Sequence, residues 1–175
     1  MSAHDSSAID ARIRDLPLTA DLVDAGLVLE ADVGGSDEEL WEAITDPEFL
    51  RRWSPIVPER PLTAVGPVLT RENPDVDPVA ADVLAIAPGH ALSHRWGDDE
   101  IDWDVEPGRL IVLMRLARPQ DAAMYAAGWQ VCFGVLDAIL AGEDAERIVG
   151  QDALANGWEE LRAQWAERLG TADPA

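Results

Sequence analysis

The alternation of apolar and polar positions divides the chain into stretches of two different periods. Between Gly26 and Gly34, Leu27, Leu29, Ala31 and Val33 fall on one side while Glu30 and Asp32 fall on the other. Successive side chains of a strand point to opposite faces, so this pattern predicts a half-buried strand. Gly34-Gly35 ends it, and Ser36 with Glu39 three positions on forms a capping-box pattern that predicts a helix start. Asp37 and Glu38 favour the same helix N-terminus through the backbone dipole. Leu40, Trp41 and Ile44 share one side of that helix, and Asp46-Pro47 closes it, because the residue before proline is steered away from the α conformation. Pro47 then suits the first turn of a second short helix, Glu48 to Trp53, which Ser54-Pro55 closes.

From Arg60 to Ala117 the period shortens and turn chemistry recurs at Val65-Gly66-Pro67, Asn73-Pro74, Asp77-Pro78, Pro88-Gly89, Gly97-Asp98 and Pro107-Gly108. Short strands between such turns predict an antiparallel meander. Its clearest member is Glu100 to Glu106, where Ile101, Trp103 and Val105 alternate with Asp102 and Asp104. Pro119 then opens a helical segment reaching about Ala141, with Tyr125, Trp129, Cys132, Phe133, Leu136, Ile139 and Leu140 at helical spacing and Gly142 as its stop. Leu154, Trp158, Leu161, Trp165 and Leu169 mark an additional C-terminal amphipathic helix ended by Gly170. At the other end, Ile9, Ile13 and Leu16 give only a weak helical pattern, closed by Pro17. The expected organisation is a loosely attached N-terminal arm over 1–24, one domain over 25–142, and a connector with its extra helix over 143–175. Strands segregated from helices define an α+β fold, and the lack of strand-helix alternation argues against a parallel, Rossmann-like sheet.

Composition narrows the function classes. A chain of 175 residues with 47% hydrophobic content can build one full core. Thirteen basic residues, all Arg, stand against 34 acidic ones, giving a formal charge of −21. Such a surface repels phosphate backbones and anionic lipid over about 8 Å at physiological salt, so neither a nucleic acid nor a membrane is expected as a partner. The exclusive use of Arg fits a GC-rich genome or, with the acidity, adaptation to high salt. The N-terminal residues lack the basic-then-apolar layout of a secretory signal, no run of 18 to 20 consecutive apolar residues appears, and the single Cys132 cannot form an internal disulfide. These features predict a cytoplasmic protein.

The run Leu40-Trp41-Glu42-Ala43-Ile44-Thr45-Asp46-Pro47-Glu48, followed by Trp53-Ser54-Pro55, resembles the START-like SRPBCC superfamily, in its branch of heat-shock ATPase activator homologues and polyketide cyclase-like proteins. Val83 to Pro88, Leu92 to Trp96, and Gly128-Trp129 with Leu136 match in the same order, so the resemblance covers approximately Leu27 to Gly142. It implies a helix-grip fold, a curved antiparallel sheet around a long C-terminal helix, with a pocket between them. Applied to that fold, the strand period nominates Leu92, His94 and Trp96, then Trp103, then Leu110, Val112 and Met114 as the sheet side of the pocket. Tyr125, Trp129 and Phe133 would close it from the helix. The alternative is that these large side chains pack together into a solid core. Two departures stand out: Ala80-Ala81-Asp82 replaces a glycine usual before the next strand, and Met114 occupies a place where relatives often carry a polar residue.

Candidate chemistry is sparse. His94 is the one catalytic candidate, since it titrates near neutral pH, and its alternative reading is a buried histidine hydrogen-bonded to a neighbour. His90 and His94 lie ~13 Å apart on a strand, too far to share a metal ion. Asp102 and Asp104, ~7 Å apart, alternate with the apolar set and belong to a solvated face, as does Asp98-Asp99-Glu100. Cys132 has no basic neighbour in sequence and reads as a small buried hydrophobe. There is no phosphate loop and no serine-nucleophile motif, and no metal or cofactor is expected.

The leading expectation is therefore a protein that binds a hydrophobic small molecule, lipid-like or aromatic, in an apolar pocket. The resemblance leaves two alternatives: a polyketide cyclase or dehydratase-like enzyme using His94, Arg95 or Tyr125, and a co-chaperone-like interaction protein that stimulates a heat-shock ATPase. The Trp158 and Trp165 stripe either packs on its own domain or supports a homodimer.

Overall fold

Gly26 opens the strand on which the sheet is built. A side-chain carbon there would lie 2.0 Å from the Met114 carbonyl oxygen, and the residue has φ +144°. Only glycine lets the two strands run this close. The computed structural model describes residues 3–24, 26–149, 151–154 and 156–170. Within them, β2 (Gly26–Asp32) pairs with β1 (Leu18–Val23) on one side and β8 (Arg109–Arg115) on the other. β8 continues through β7 (Asp99–Glu106) and β6 (Ala91–Trp96) to β5 (Val83–Ala87), giving an antiparallel six-stranded order of β1-β2-β8-β7-β6-β5.

Register turns the alternation of each strand into continuous apolar rows. Leu29, Val112, Trp103 and Leu92 pair in sequence across β2, β8, β7 and β6, and Leu27, Met114, Ile101 and His94 form the next row. All eight side chains are buried. On the reverse face the Ser93 hydroxyl donates to Asp102, and Arg115 pairs with Glu100 and Asp102.

The capping box forms as its pattern predicts. The Glu39 backbone N–H donates to the Ser36 hydroxyl and the Ser36 N–H donates to the Glu39 carboxylate, starting α2 (Asp37–Thr45). α3 (Pro47–Leu50) follows, capped by Asp46. A one-turn 3-10 segment, Pro119–Asp121, leads into α4 (Ala122–Leu140), the helix that the sheet grips. By length and composition Pro119–Leu140 could cross a membrane, but it is 72% buried inside the fold.

Three stretches differ from their sequence expectation. Of residues 1–24, expected as a loose arm, the described part from Ala3 onward is docked through α1 (Ala3–Asp15) and β1. Ile13 is fully buried, its carbonyl accepts from the Gln130 amide at 2.8 Å, and Arg12 pairs with Asp137 on α4 and with Glu143. The front of the expected meander, 60–82, is largely irregular and holds only β3 (Leu69–Thr70) and β4 (Val79–Ala80), a separate two-residue pair. Pro61, Pro67, Pro74 and Pro78 remove ladder donors there. Finally, the C-terminal helix is interrupted: α5 (Gln151–Leu154) and α6 (Trp158–Leu169) are separated at Gly157, whose φ is +80°. Leu161 and Trp165 of α6 are buried in the core cluster, and the Trp165 indole donates to Gln130 at 2.7 Å, so this part of the stripe packs on its own domain.

Two glycines of α4 separate close packing from open space. A side-chain carbon at Gly134 would sit 2.5 Å from Ile13 Cγ1 and 3.0 Å from its Cα, whereas at Gly128 the nearest atom is 3.9 Å away. Gly134→Ala should cost about 1–3 kcal/mol by forcing α1 outward. Gly128→Ala should be neutral or stabilising by up to about 1 kcal/mol. Urea denaturation of both variants, with amide exchange across α1, checks this contrast.

Candidate functional site

α4 presents different flanks because each residue turns the helix by about 100°. Trp129 and Phe133 face the sheet, where they meet Trp103 of β7 and Trp53 from the loop after α3. Ring centroids are 5.5 Å apart for Trp103 and Trp129, 5.4 Å for Trp129 and Phe133, 5.8 Å for Trp53 and Phe133, and 6.5 Å for Trp53 and Trp103. The Trp53 indole donates to the Ala43 carbonyl, and the Trp129 indole contacts the Met114 sulfur at 3.1 Å. These aromatics fill the space between sheet and helix. Leu92, His94, Trp103, Leu110, Val112, Met114 and Phe133 are buried there and are not among the residues that line the cavity beside α4.

His94 is part of that filling. Its Nε2 accepts from the Trp103 indole at 2.9 Å, and Nδ1 lies 2.8 Å from the Arg95 carbonyl, which fixes Nδ1 as the protonated nitrogen. Burial pushes its pKa down to about 4, so it is neutral and both nitrogens are committed.

A cavity of about 400 Å³ opens instead along the neighbouring flank of α4, lined there by Met124, Tyr125, Gly128, Trp129 and Cys132. Trp96 at the end of β6 forms one side wall. The rest of the lining comes from Ile148 and Val149 of the connector, Ala153 and Leu154 of α5, Trp158 at the start of α6, and Pro55 and Glu72. Of the ten residues nominated from sequence, Trp96, Tyr125 and Trp129 come together here. The connector wall was missed; its signal is the apolar pair Ile148-Val149 within an acidic stretch, followed by Leu154 and Trp158 four positions apart.

One side chain holds the connector in place. Arg147 Nε donates to the Ser54 carbonyl at 2.6 Å, and its Nη2 donates to the Glu72 carbonyl. Burial lowers the pKa of this guanidinium from its ordinary value, the cost of taking a cation partly out of water. Tyr125 is also committed: its hydroxyl donates to Asp99 at 2.7 Å, and the second Asp99 oxygen accepts from the Ala117 N–H at 2.8 Å. Burial, reinforced by that carboxylate, pushes the phenol pKa up. Cys132 is pushed up to about 12 by burial, so it remains a thiol and a poor nucleophile at neutral pH. What the geometry offers is an aromatic-walled cavity in which the Tyr125 hydroxyl is occupied by Asp99 and Cys132 remains a thiol.

A six-stranded antiparallel sheet gripping one long helix, with additional helices flanking it, defines an α+β helix-grip fold. No protein-family model matches the chain and no curated protein matches it. Among solved structures it is similar to CalU16 from Micromonospora echinospora, at a TM-score of 0.60 and 19% identity over 87% of this chain and 96% of that one. A conserved protein of unknown function from Enterococcus faecalis is similar at a TM-score of 0.63 and 14% identity, over 98% of this chain and 100% of the other. DynU16, from the dynemicin biosynthetic locus, is similar at 0.58 and 23% identity, over 68% of this chain and 48% of its own length. At these identities the likeness is one of fold.

Neutral burial of His94 makes stability depend on pH. The unfolded chain protonates this group near pH 6.5 and the folded chain near 4. Between those values the unfolded state binds more protons, so this contribution is intact above about pH 6.5 and is lost as pH falls toward 4. The loss should reach about 3 kcal/mol. Denaturation at a series of pH values, taken as the difference between wild type and His94→Gln, should reveal it; a constant difference across that window would contradict the assignment.

Proposed function

We propose that the chain binds a hydrophobic small molecule, lipid-like or aromatic, in the cavity beside α4. The observation that carries this reading is the enclosure itself, about 400 Å³ with walls supplied by Trp96, Tyr125, Trp129, Trp158, Ile148 and Leu154. Ligand sites are commonly clefts of about 300–1,000 Å³ with mainly apolar and aromatic linings. The occurrence of DynU16 in a biosynthetic locus supports small-molecule handling by proteins of this shape. Binding is favoured over the cyclase-like alternative because His94, Tyr125 and Cys132 each hold their proton in an internal contact or a buried thiol. The small-molecule reading is retained for the ligand alone, with no cofactor assigned to the cavity.

The experiment is a titration with a panel of hydrophobic metabolites, following the fluorescence of the lining tryptophans and confirming hits by calorimetry. Gly128→Leu places a branched side chain in the cavity from a position where the first added carbon meets nothing closer than 3.9 Å. It should keep the folded state and weaken binding by at least about tenfold, or 1.4 kcal/mol. Undiminished binding in that variant would remove the ligand from this cavity, and no binding by the wild type would reject the function.

A further inference from the structure

We infer that the cavity selects a hydrophobic amine, bound as its ammonium ion, over a neutral or carboxylate ligand of the same shape. This rests on the reading of the cavity as a ligand site. Among the lining residues Glu72 is the one carboxylate side chain, and it is partly exposed. The walls beside it are the rings of Trp96, Tyr125, Trp129 and Trp158, whose π faces attract a cation and not an anion.

The neighbouring groove is also mainly acidic. Beyond the Trp96 and Tyr125 ring pair, whose centroids are 5.9 Å apart, lies a second groove of about 320 Å³ that carries Asp98, Asp99 and Asp121 against Arg118. The chain as a whole bears −21. A carboxylate entering this field is repelled before contact, and an ammonium ion is drawn in.

Two guanidinium groups stand near the wall without joining the lining. Arg147 directs its Nε and Nη2 donors at the Ser54 and Glu72 carbonyls, and Arg162 lies 5.6 Å from the Trp158 ring centroid. Drawing Arg147 toward a carboxylate would break the contacts that hold the connector wall. An ammonium group beside the partly exposed Glu72 keeps part of its hydration while its apolar body enters the cavity, which limits the desolvation cost of burying a charge.

The test uses three probes of one shape, naphthylethylamine, naphthylethanol and naphthylacetate, titrated calorimetrically into the full chain at neutral pH. The amine should bind about three- to tenfold more tightly than the alcohol. The carboxylate should bind more weakly than the alcohol. Raising ionic strength from about 0.01 M to about 1 M shortens the screening length from about 30 Å to about 3 Å and should narrow the spread. Glu72→Gln should bring the amine's affinity down toward the alcohol's. A carboxylate that binds as tightly as the amine, or an amine that matches the alcohol at low salt, overturns the charge selection while leaving the cavity as a ligand site. If none of the three binds, the inference and the proposed function fall together.

Discussion

The interior of this fold is organised by four aromatic rings packed between the sheet and α4. Trp53, Trp103, Trp129 and Phe133 are each at most 2% exposed, and their centroids lie 5.4–6.5 Å apart along the contacts that join them. Interiors packed to crystal-like density leave few voids larger than a water molecule. The rings take up much of the space between the sheet and the helix. The open volume lies where these rings stop, on the next flank of α4, and Trp129 belongs to both environments because its position borders that flank.

The polar groups inside this packing are arranged to be satisfied rather than reactive. Trp103 gives its N–H to His94, which in turn uses its other nitrogen on a backbone carbonyl. Gln130 lies on the opposite side of α4 and uses both ends of its amide, donating to Ile13 on α1 and accepting from Trp165 on α6. Leaving such a buried group unpaired costs about 1–3 kcal/mol, so each bond also specifies which helix may sit there. Asp99 plays the same part in the neighbouring groove, where it accepts from the Tyr125 hydroxyl and from the Ala117 N–H just before α4. The outcome is a scaffold whose buried polar groups are paired with one another beside a mainly apolar cavity.

Local rules were legible in the sequence wherever both partners were close along the chain. The Ser36–Glu39 capping box, the Asp46-Pro47 break and the alternation of Ile101, Trp103 and Val105 each appear in the structure as their patterns require. Period-two reasoning also identified the inward face of the sheet, but a face says nothing about whether the volume before it is empty. That depended on Trp53, which reaches the same space from a loop. The docking of α1 was hidden for a different reason: it depends on the absence of a side chain at Gly134 and on an amide bond between Gln130 and Ile13, 117 positions apart. The connector wall is held by Arg147 on the backbone carbonyls of Ser54 and Glu72, and a carbonyl acceptor has no signature in the residue that carries it.

The C-terminal segment therefore belongs to the site as much as the sheet does. It begins at Gly142, where the long helix ends, passes Arg147 on its way to Ile148 and Val149, and returns to the same helix through Leu161 and Trp165. Both walls of the cavity are thus referred to α4, one built on it directly and the other tied back to it by α6. Arg147 sets the spacing between the returning segment and the irregular stretch that carries Glu72, because one guanidinium spans both. A ligand lying between these walls would add apolar contacts across a junction joined by the two Arg147 donors and by the contact of the Cys132 thiol with the Ile148 carbonyl. Any molecule that bound this arrangement and not the unfolded chain would stabilise it by mass action.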